Sequence, residues 1–459
     1  MVESYDVVVI GSGQAGPSLA VRMAQNGLRT ALVEREHLGG TCVNDGCTPT
    51  KTLVASARVA HMARRAADYG VRIGGEVGVN MAAVKARKDR VVQASLDGLR
   101  AWLSRTQNLD LIAGTARFTG PRTIAVGART LSASRIFINT GGRPLVPDWP
   151  GLSDVPYLTN VSMMDVDRVP EHMIVVGGSY IGLEFAQMFR RFGSEVTILE
   201  HADRLIARED PDVSAAIAEI LKAEGIAVRC GIRDPSVAPH ASGVRVDATA
   251  SNQPLSIIGS DLLLAVGRRP NVEDLDLEAA GVRLDAQGFI AVDDELRASA
   301  EGIWALGDVN GKGAFTHTSY NDHEIVAANL LDGGSRRVSD RIATYALFTD
   351  PPLGRAGMTE TQVRATGKPA LKGHIPMTRV ARARERGETQ GFMKVLVDGE
   401  TKLILGAALL CIEADEIVHS LLDIMSARAP YTVIERTMHI HPTVSELIPT
   451  MLAELRPMT

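Results

Sequence analysis

The sequence has few aromatic residues, few cysteines and no long apolar run. Aromatic residues make up 4% of the 459 positions, and there are 4 cysteines against 43 glycines. Four cysteines are too few for the disulfide framework of a small secreted domain. No stretch approaches the ~18 apolar residues of a membrane-spanning helix. The balanced composition excludes a disordered or collagen-like chain, and the glycine content favours an α/β fold over an all-β fold.

The net charge is also small. The chain carries 49 basic and 54 acidic residues, a balance of −5, whereas a nucleic-acid-binding surface needs a basic face. The N-terminus reads MVESYDVVVIGSG, with an acid at Glu3 and no basic segment, which predicts a β-strand rather than a signal peptide. We therefore expect a cytoplasmic protein with neither nucleic-acid nor membrane partners. At ~150 residues per domain, the length predicts about three domains.

The first forty residues predict a βαβ unit. A β-branched apolar strand at 5–10 leads directly into GSGQAG, then a helix to Gly27 and a second strand at 30–33 that ends in Glu34. The glycines permit a tight turn and the close approach of a pyrophosphate to a helix N-terminus. Glu34 is placed to accept a hydrogen bond from a ribose hydroxyl. The pattern predicts a dinucleotide site on the complete fingerprint of Gly11, Gly13 and Gly16.

A second unit of this kind begins near His172. Strands are predicted at 173–176 and 196–199, and the second strand ends in Glu200. The turn between them has a serine in place of the middle glycine, which crowds the backbone slightly. A second dinucleotide site is predicted, and the alternative is a strand–helix junction without a ligand. The fingerprint positions are Gly177, Ser179 and Gly182.

Three more strand ends are marked by glycines. The segments 138–144 and 263–270 resemble each other, and each is predicted to carry the chain between domains. The third segment ends in Asp308, which can hydrogen-bond a cofactor hydroxyl; the alternative is an ordinary turn aspartate. From about residue 343 no glycine fingerprint occurs, which indicates a third kind of domain with strands near 345–350 and 393–397.

Two cysteines, Cys42 and Cys47, lie close together in the sequence. In one regular helix their Cα atoms would be roughly 8.7 Å apart, beyond the ~7 Å limit for a disulfide. Cys42 must therefore lie outside a regular helix, or the first turn must be distorted, which Gly46 permits. A thiol near a helix N-terminus is a better thiolate. A zinc site would need two further ligands, and no metal centre is predicted.

The order of these motifs resembles that of the pyridine nucleotide–disulfide oxidoreductases. This family of flavoenzymes includes dihydrolipoyl dehydrogenase, glutathione reductase and mercuric reductase, and the resemblance covers nearly the whole chain. It implies an α/β fold with two Rossmann-like dinucleotide-binding domains, for FAD and NAD(P)H, and a C-terminal α+β dimerisation domain. The implied boundaries are 1–142 and 271–341 for the two parts of the FAD-binding domain, 143–270 for the NAD(P)H-binding domain and 342–459 for dimerisation.

The resemblance also implies roles for individual residues. Cys47 would lie against the flavin as the charge-transfer thiolate, and Cys42 would be the interchange thiol that meets the substrate. Lys51 would pair with Glu184 near the flavin, and Tyr180 would gate the nicotinamide pocket. FAD would be held by Gly11, Gly13, Gly16, Glu34, Thr41, Lys51, Thr140, Gly141 and Asp308. NAD(P)H would be held by Gly177, Ser179, Tyr180, Gly182, Glu200 and Gly267.

The segment HIHPTVSE near the C-terminus resembles the acid–base motif of the family. His441 would be the general acid–base and Glu446 would orient its ring, because thiol exchange needs a proton partner with a pKa near 7. In the alternative, Thr443 and Glu446 form a helix-capping box. Pro449 is expected to kink or end that helix. In the family this pair serves the partner subunit's active site, which implies a homodimer.

The choice within the family is less determined. Glu200 should repel a 2′-phosphate and favour NADH, although Arg204 lies near enough to weaken the inference. Mercuric reductases end in a cysteine pair, and this chain has no cysteine after Cys411, yet the segment 46–53 looks closer to their branch. Asp45, between the cysteines, departs from the usual apolar residue. We hypothesise that it raises the pKa of Cys47 and attracts cations.

The predicted function follows from these features. Electrons would pass from NAD(P)H through FAD and the Cys42–Cys47 disulfide to a small disulfide or an oxidised metal ion. The alternative is a dihydrolipoyl dehydrogenase that oxidises dihydrolipoamide with NAD⁺. A third hypothesis is a flavin-binding scaffold without catalysis.

Overall fold

The computed structural model describes residues 2–458, which form two compact units. The first contains the chain up to Thr52, Lys85–Leu145 and Gly267–Arg341; the second contains Leu53–Val84, Val146–Val266 and the chain from Ile342. The helices are α1 Ala15–Gln25, α2 Gly40–Asn44, α3 Cys47–Arg64, α4 Met81–Ser104, α5 Tyr180–Phe192, α6 Pro211–Ala223, α7 Thr316–Leu331, α8 Glu360–Ala365, α9 Ala381–Glu385, α10 Ala414–Ser426, α11 Thr432–Arg436 and α12 Ile448–Ala453.

The strands of the first unit are β1 Val2–Ile10, β2 Thr30–Glu34, β3 Leu109–Ala113, β4 Ala116–Gly120, β5 Thr123–Val126, β6 Arg129–Ile138, β7 Gly142–Pro144, β15 Arg268–Pro270 and β16 Ile303–Ala305. The second unit contains the strands between β7 and β15, which are β8 His172–Val176, β9 Glu195–Leu199, β10 Ala227–Arg229, β11 Ile232–His240, β12 Gly243–Ala250, β13 Gln253–Gly259 and β14 Asp261–Leu264. The remaining strands of the second unit are β17 Thr344–Leu347, β18 Leu353–Gly357, β19 Ala370–Pro376, β20 Phe392–Asp398, β21 Ile404–Leu410 and β22 Arg456–Pro457.

The first unit is built on one seven-stranded sheet. Its order is β3-β2-β1-β6-β5-β4, with β16 also paired to β6, and β1 runs parallel to both β2 and β6. The residues 7–10 of β1 are buried on both faces, as the apolar run of a central parallel strand requires. Leu19 of α1 and Ile325 of α7 pack with Val7 and Val9 on one face. The glycine turn after β1 therefore opens at the carboxyl edge of this sheet.

The second unit contains three sheets. The strands β10-β9-β8-β14 form a parallel sheet, β11-β12-β13 form an antiparallel sheet, and β17-β18-β21-β20-β19-β22 form a larger antiparallel sheet. Phe185 and Phe189 of α5 and Ile217 of α6 pack in the same cluster as Val175 and Ile198 of the parallel sheet. This arrangement of α5 repeats that of α1 in the first unit.

Two fully buried cations lie in the large antiparallel sheet. Arg355 on β18 and Lys394 on β20 have side-chain exposures of 1%. Arg355 pairs with Glu209, and the Lys394 ammonium lies 3.0 Å from Asp210. Burial opposes ionisation of Asp210, but a backbone hydrogen bond from Glu360 and the Lys394 charge outweigh it and hold the pKa of Asp210 at about 2. Each buried charge therefore has an opposite charge in contact, which burial demands.

The predicted α/β architecture is confirmed, with strand and helix ends displaced by a few residues. Near Pro449, the 3-10 turn that follows Thr443 ends at Leu447 and a separate helix begins at Ile448. Pro449 lies in the first turn of α12, after the 3-10 turn at Ser445–Leu447, where a missing N–H removes no helical hydrogen bond. No helix among residues 2–458 is long and apolar enough to cross a bilayer.

Candidate active site

The first glycine turn requires its glycines. Gly11 has a φ of 98°, and a Cβ built there would lie 2.3 Å from the carbonyl oxygen of Asn139. A Cβ on Gly16 would lie 2.1 Å from the Gly11 carbonyl oxygen, and one on Gly13 would crowd the Asn139 amide oxygen at 3.1 Å. Glu34 accepts hydrogen bonds from the N–H and hydroxyl of Ser12, at 2.9 and 2.6 Å. The turn thus presents bare backbone at the N-terminus of α1, with a carboxylate beside it.

The second turn has the same construction. Gly177 has a φ of 115°, and its Cβ would lie 2.2 Å from the Ala265 carbonyl oxygen. A Cβ on Gly182 would lie 1.9 Å from the Gly177 carbonyl oxygen. Ser179 was expected to crowd the backbone slightly. It is exposed in an extended conformation that any residue adopts, so its side chain does not crowd the turn. Glu200 accepts hydrogen bonds from the N–H groups of Gly178 and Ala202.

The two cysteines lie on either side of a break between helices. Cys42 lies in α2, Cys47 is the first residue of α3, and both are free thiols in this structure. Cys42 therefore lies outside the helix that carries Cys47, as their spacing required. Gly46 is not in the left-handed region; a glycine is needed there because a Cβ would lie 2.7 Å from the Thr41 carbonyl oxygen. The break, rather than left-handed backbone, brings the sulfurs together.

The two thiols interact. A hydrogen bond with the Cys47 thiol, together with burial, raises the pKa of the Cys42 thiol above its usual range. The Cys47 sulfur lies 3.1 Å from the Thr316 hydroxyl, at the first residue of α7. The ionisation of one thiol therefore opposes that of the other, because two adjacent sulfurs cannot both ionise easily.

Arg268 connects the cysteine segment to the predicted flavin side of the first unit. Its guanidinium lies 3.7 Å from the Asp308 carboxylate and 3.4 Å from the Thr41 hydroxyl. Burial raises the pKa of Asp308, and the Arg268 charge opposes this shift. Burial also raises the pKa of Asp45, again against the charge of Arg268. One cation thus interacts with two half-buried carboxyl groups of the first unit, one of which lies between the two cysteines in the sequence.

Four further residues of the predicted sites belong to the first unit. Thr140 donates from its hydroxyl to the Asn271 carbonyl at 2.7 Å, and Gly141 has a φ of 65° with open space where a Cβ would be. Lys51 is half-buried on α3, one turn after Cys47. Gly267 belongs to this unit, at its boundary with the second.

In the second unit, α5 carries two predicted residues one turn apart. Tyr180 begins the helix, and its ring meets the Tyr345 ring edge-on, with centroids 5.4 Å apart. Glu184 is buried, and its carboxylate accepts a hydrogen bond from the Phe348 N–H at 3.0 Å. Since Lys51 belongs to the first unit, the pairing of Lys51 with Glu184 stays a prediction.

His441 and Glu446 are in contact. The ring Nδ1 lies 2.9 Å from one carboxylate oxygen of Glu446 and 3.1 Å from the other. The side chain of His441 is 75% exposed, whereas that of Glu446 is 13% exposed. The capping box is half formed: the Glu446 N–H donates to the Thr443 hydroxyl at 3.3 Å, but the Glu446 carboxylate faces His441. The carboxylate therefore fixes the ring and leaves Nε2 to exchange a proton.

The structure adds four residues that the sequence reasoning did not assign: Thr316, Arg268, Tyr345 and Glu209. Arg268 lies in the glycine-containing segment 263–270, which the sequence marks as a strand end, but the sequence does not indicate the partners of its side chain. Thr316 lies 269 positions from Cys47 and has no local signal. Within residues 2–458, no group of three or more His, Cys, Asp or Glu side chains is arranged to hold a metal ion.

Comparison with known families agrees with this geometry. Residues 5–322 match the family model of the pyridine nucleotide-disulphide oxidoreductases. Residues 343–452 match the dimerisation domain of the same family. The chain belongs to the pyridine nucleotide-disulphide oxidoreductases. The matched dimerisation domain supports a homodimer.

Individual relatives span nearly the whole chain. The Escherichia coli protein named "Probable pyridine nucleotide-disulfide oxidoreductase RclA" is 36% identical over 453 residues, covering 97% of this chain and 98% of that protein. A dihydrolipoyl dehydrogenase of Thermus scotoductus is 33% identical, covering 97% and 96%. A mercuric reductase of Staphylococcus aureus is 32% identical, covering 91% and 76%. A solved structure, the Cu(II) complex of HOCl-induced flavoprotein disulfide reductase RclA from Escherichia coli, matches with a TM-score of 0.88 at 34% identity, covering 98% and 99%.

Membership makes the chain an oxidoreductase that uses FAD and a pyridine nucleotide. The residues present fit two dinucleotides. Each turn brings bare backbone to a helix N-terminus, and the glycines at 11, 16, 177 and 182 leave no room for a side chain. An acid, Glu34 or Glu200, lies beside each turn. The chain alone thus supplies two cradles of the same design.

Proposed function

We propose that this enzyme passes electrons from NAD(P)H to a small acceptor through a disulfide between Cys42 and Cys47. The observation that carries the proposal is the pair of thiols, hydrogen-bonded across the break between α2 and α3. Bound FAD would supply the two-electron relay between the nucleotide and the sulfur pair. Glycines of the first turn, Thr41, Thr140 and Asp308 would hold it.

Cys42 would attack the acceptor, and this step needs a base. The raised pKa of Cys42 keeps its proton on the sulfur at neutral pH. His441, with Nδ1 fixed by Glu446, has a ring nitrogen suited to accept that proton. In our proposal the His441–Glu446 pair acts on the cysteines of the partner subunit, so that the homodimer is the catalytic unit. The cycle requires free thiols, which suits the cytoplasm.

The acceptor we propose is a low-molecular disulfide or an oxidised metal ion. The likeness to a Cu(II) complex of RclA and to mercuric reductases supports the metal ion. The carboxyl group of Asp45 between the cysteines supplies a cation-attracting group near the pair. Asp45→Val is then expected to lower the rate with Cu(II) more than the rate with glutathione disulfide. Equal effects on both acceptors would reject this role.

We propose NADH as the preferred nucleotide. Glu200 lies beside the second turn, where its charge would repel a 2′-phosphate. Arg204 donates to the carbonyl oxygens of Ala207 and Glu209, at 3.0 and 3.3 Å. Its guanidinium thus bonds the loop before α6, which supports the proposal because one donor nitrogen is already engaged there.

Dihydrolipoyl dehydrogenase is the second candidate. The His441–Glu446 contact favours it, because a dithiol donor must lose protons to such a base. A relative of that name also covers 97% of this chain. Reduction of NAD⁺ by dihydrolipoamide would establish this direction.

The test counts thiols. The purified FAD-loaded enzyme is treated anaerobically with NADH or NADPH, and thiols are then alkylated and located by mass spectrometry. We expect Cys42 and Cys47 to change together from disulfide to two alkylated thiols, with NADH effective at lower concentration. Cys230 and Cys411 are the internal controls, because their alkylation should not change.

The scaffold hypothesis predicts the opposite result. If the nucleotide bleaches the flavin but leaves the disulfide of Cys42 and Cys47 intact, the sulfur pair carries no electrons. Cys42→Ser and Cys47→Ser variants complete the test, because each should still accept electrons from NADH but fail to reduce the acceptor.

A further inference from the structure

One short segment of the second unit contacts α5 at two points. Tyr345 on β17 meets the ring of Tyr180 at an interplanar angle of 84°, and the Phe348 N–H, just after β17, donates to Glu184. Tyr180 and Glu184 are four residues apart, so they lie on the same face of the helix. The segment 344–348 therefore contacts both Tyr180, which is expected to gate the nicotinamide pocket, and Glu184, which is expected to lie near the flavin.

Tyr345 is itself fixed by a buried acid. Its hydroxyl donates to Glu209, whose side chain has no exposed surface. Glu209 also pairs with Arg355, whose Nε lies 3.2 Å from the same carboxylate oxygen. Arg355 is 1% exposed and donates further to the Met358 carbonyl at 3.3 Å. The acceptor of the Tyr345 proton is therefore an immobile, negatively charged group.

The hydroxyl groups of Tyr345 and Tyr180 also share a hydrogen bond. Because the proton of Tyr345 goes to Glu209, its oxygen is left to accept from Tyr180. Burial and the charge of Glu209 raise the pKa of Tyr345, which keeps it a neutral donor. A directed chain results, from Tyr180 to Tyr345 to Glu209, anchored by Arg355.

We propose that Tyr345 is a positioning residue that holds Tyr180 in its resting position and thereby sets how readily the nicotinamide enters. The proposal rests on the proposed function and on the role that the family resemblance implies for Tyr180, the gating of the nicotinamide pocket. A phenylalanine would serve as well as Tyr345 if packing alone mattered. The hydroxyl, donated to a buried carboxylate, is what gives the ring a fixed orientation.

The experiment measures nucleotide binding apart from chemistry. Oxidised, FAD-loaded enzyme is mixed rapidly and anaerobically with NADH over a range of concentrations, which separates the apparent Kd from the limiting rate of flavin reduction. If the resting position must be left before NADH binds, weakening it lowers the apparent Kd. We expect Tyr345→Phe to lower that Kd roughly 3- to 10-fold, as loss of one hydrogen bond allows. The limiting rate should change by less than about 2-fold, since the hydroxyl makes no contact with the reacting atoms in this proposal.

Tyr180→Phe is the second variant, because it removes the same hydrogen bond from a half-buried residue at little risk to folding. It should lower the Kd to the same extent as Tyr345→Phe, and the double variant should show no further change. A merely structural role of Tyr345 would lower the melting temperature and raise, or leave unchanged, the Kd.

The two ways to fail are distinguishable. If Tyr180→Ala changes neither the Kd nor the limiting rate, the gate itself is wrong and the proposed function loses that residue. If Tyr180→Ala alters nucleotide binding but Tyr345→Phe and Tyr180→Phe do not, the gate stands and the positioning role of Tyr345 is overturned.

Discussion

The two glycine turns share a backbone but differ in what holds the helix that follows. At the first turn, the Asn139 amide oxygen accepts from the Gly16 N–H at 2.9 Å, and its amide nitrogen donates to the Leu306 carbonyl at 2.8 Å. At the second turn the matching position is Ala265, which faces Gly177 as Asn139 faces Gly11. Alanine has no amide to make these bonds.

The difference teaches how one motif can serve two kinds of ligand. In the first unit a buried side chain with both ends paired locks the turn to the neighbouring strand ends. In the second, the start of α5 carries Tyr180, whose ring contacts Tyr345 and can leave that contact without breaking the turn. A locked cradle suits a cofactor that stays bound, and a movable contact suits a nucleotide that enters and leaves in each cycle.

The largest effects should come from filling the turns. Gly16→Ala and Gly182→Ala each place a Cβ about 2 Å from a carbonyl oxygen, so the backbone must move. We expect Gly16→Ala to lose FAD, with affinity at least roughly 100-fold weaker. Gly182→Ala should keep FAD, but its affinity for NADH should fall by a similar factor. Bound flavin absorbance and NADH titration measure both; loss of FAD in both variants would contradict the separation.

Removing the Asn139 side chain, which bonds the first turn to a neighbouring strand end, should have the next largest effect. Asn139→Ala leaves the Leu306 carbonyl without its buried partner, at about 1–3 kcal/mol, and leaves the Gly16 N–H with its second acceptor, the Gly13 carbonyl oxygen at 3.0 Å. We expect FAD affinity, measured by fluorescence titration of the apoenzyme, to fall at least roughly tenfold. The Kd for NADH in the FAD-saturated variant should not change. Ala265→Gly is the matched control, and an equal loss of FAD there would remove the distinction between the turns.

The preference for NADH over NADPH should depend on Glu200 and not on Glu34. Glu200→Ala is expected to raise kcat/KM for NADPH relative to NADH by roughly tenfold, because the charge beside the ribose is removed. Glu34→Ala should leave that ratio unchanged. Glu200→Gln separates charge from geometry, since it keeps an oxygen for the N–H groups of Gly178 and Ala202. A ratio unaffected by Glu200→Ala would refute the predicted NADH preference.

The smallest effects concern pH, and here the units should respond with opposite signs. Burial raises the pKa of Asp45 in the first unit, so the folded state binds that proton more tightly and loses stability as pH rises above 3.8. Asp45→Asn should therefore melt a few degrees higher at neutral pH, with the gain vanishing below pH 3.8. Asp210, held at about 2, contributes stability above 3.8 that is lost as pH falls toward 2.

For that reason Asp210→Asn should melt at a lower temperature than the parent at neutral pH, and the two curves should converge in acid. Melting curves of both variants between pH 2 and pH 8 measure the signs. A shift of the same sign in both variants would show that the two carboxyl groups are in equivalent environments.

The features that could be predicted from the sequence are those set by local spacing. The glycine turns, the acids after β2 and β9, the break between Cys42 and Cys47 and the five-residue interval of His441 and Glu446 all follow from short-range geometry. The contacts of Thr316 with Cys47, Arg268 with Thr41 and Tyr345 with Glu209 could not be predicted, because the two residues of each contact lie more than a hundred positions apart. The interruption near Pro449 could be predicted, but the start of α12 at Ile448 could not, because a proline is compatible both with the end of one helix and with the first turn of the next.

The buried lysine of the large antiparallel sheet has a practical consequence. Lys394 is buried, with a side-chain exposure of 1%, whereas Lys368 and Lys402 of the same region are exposed. An amine-acylating reagent can reach Lys394 only while β20 and its surroundings are open. The rate at which Lys394 is labelled, relative to the rates at those two surface amines, therefore measures how often this part of the chain opens transiently.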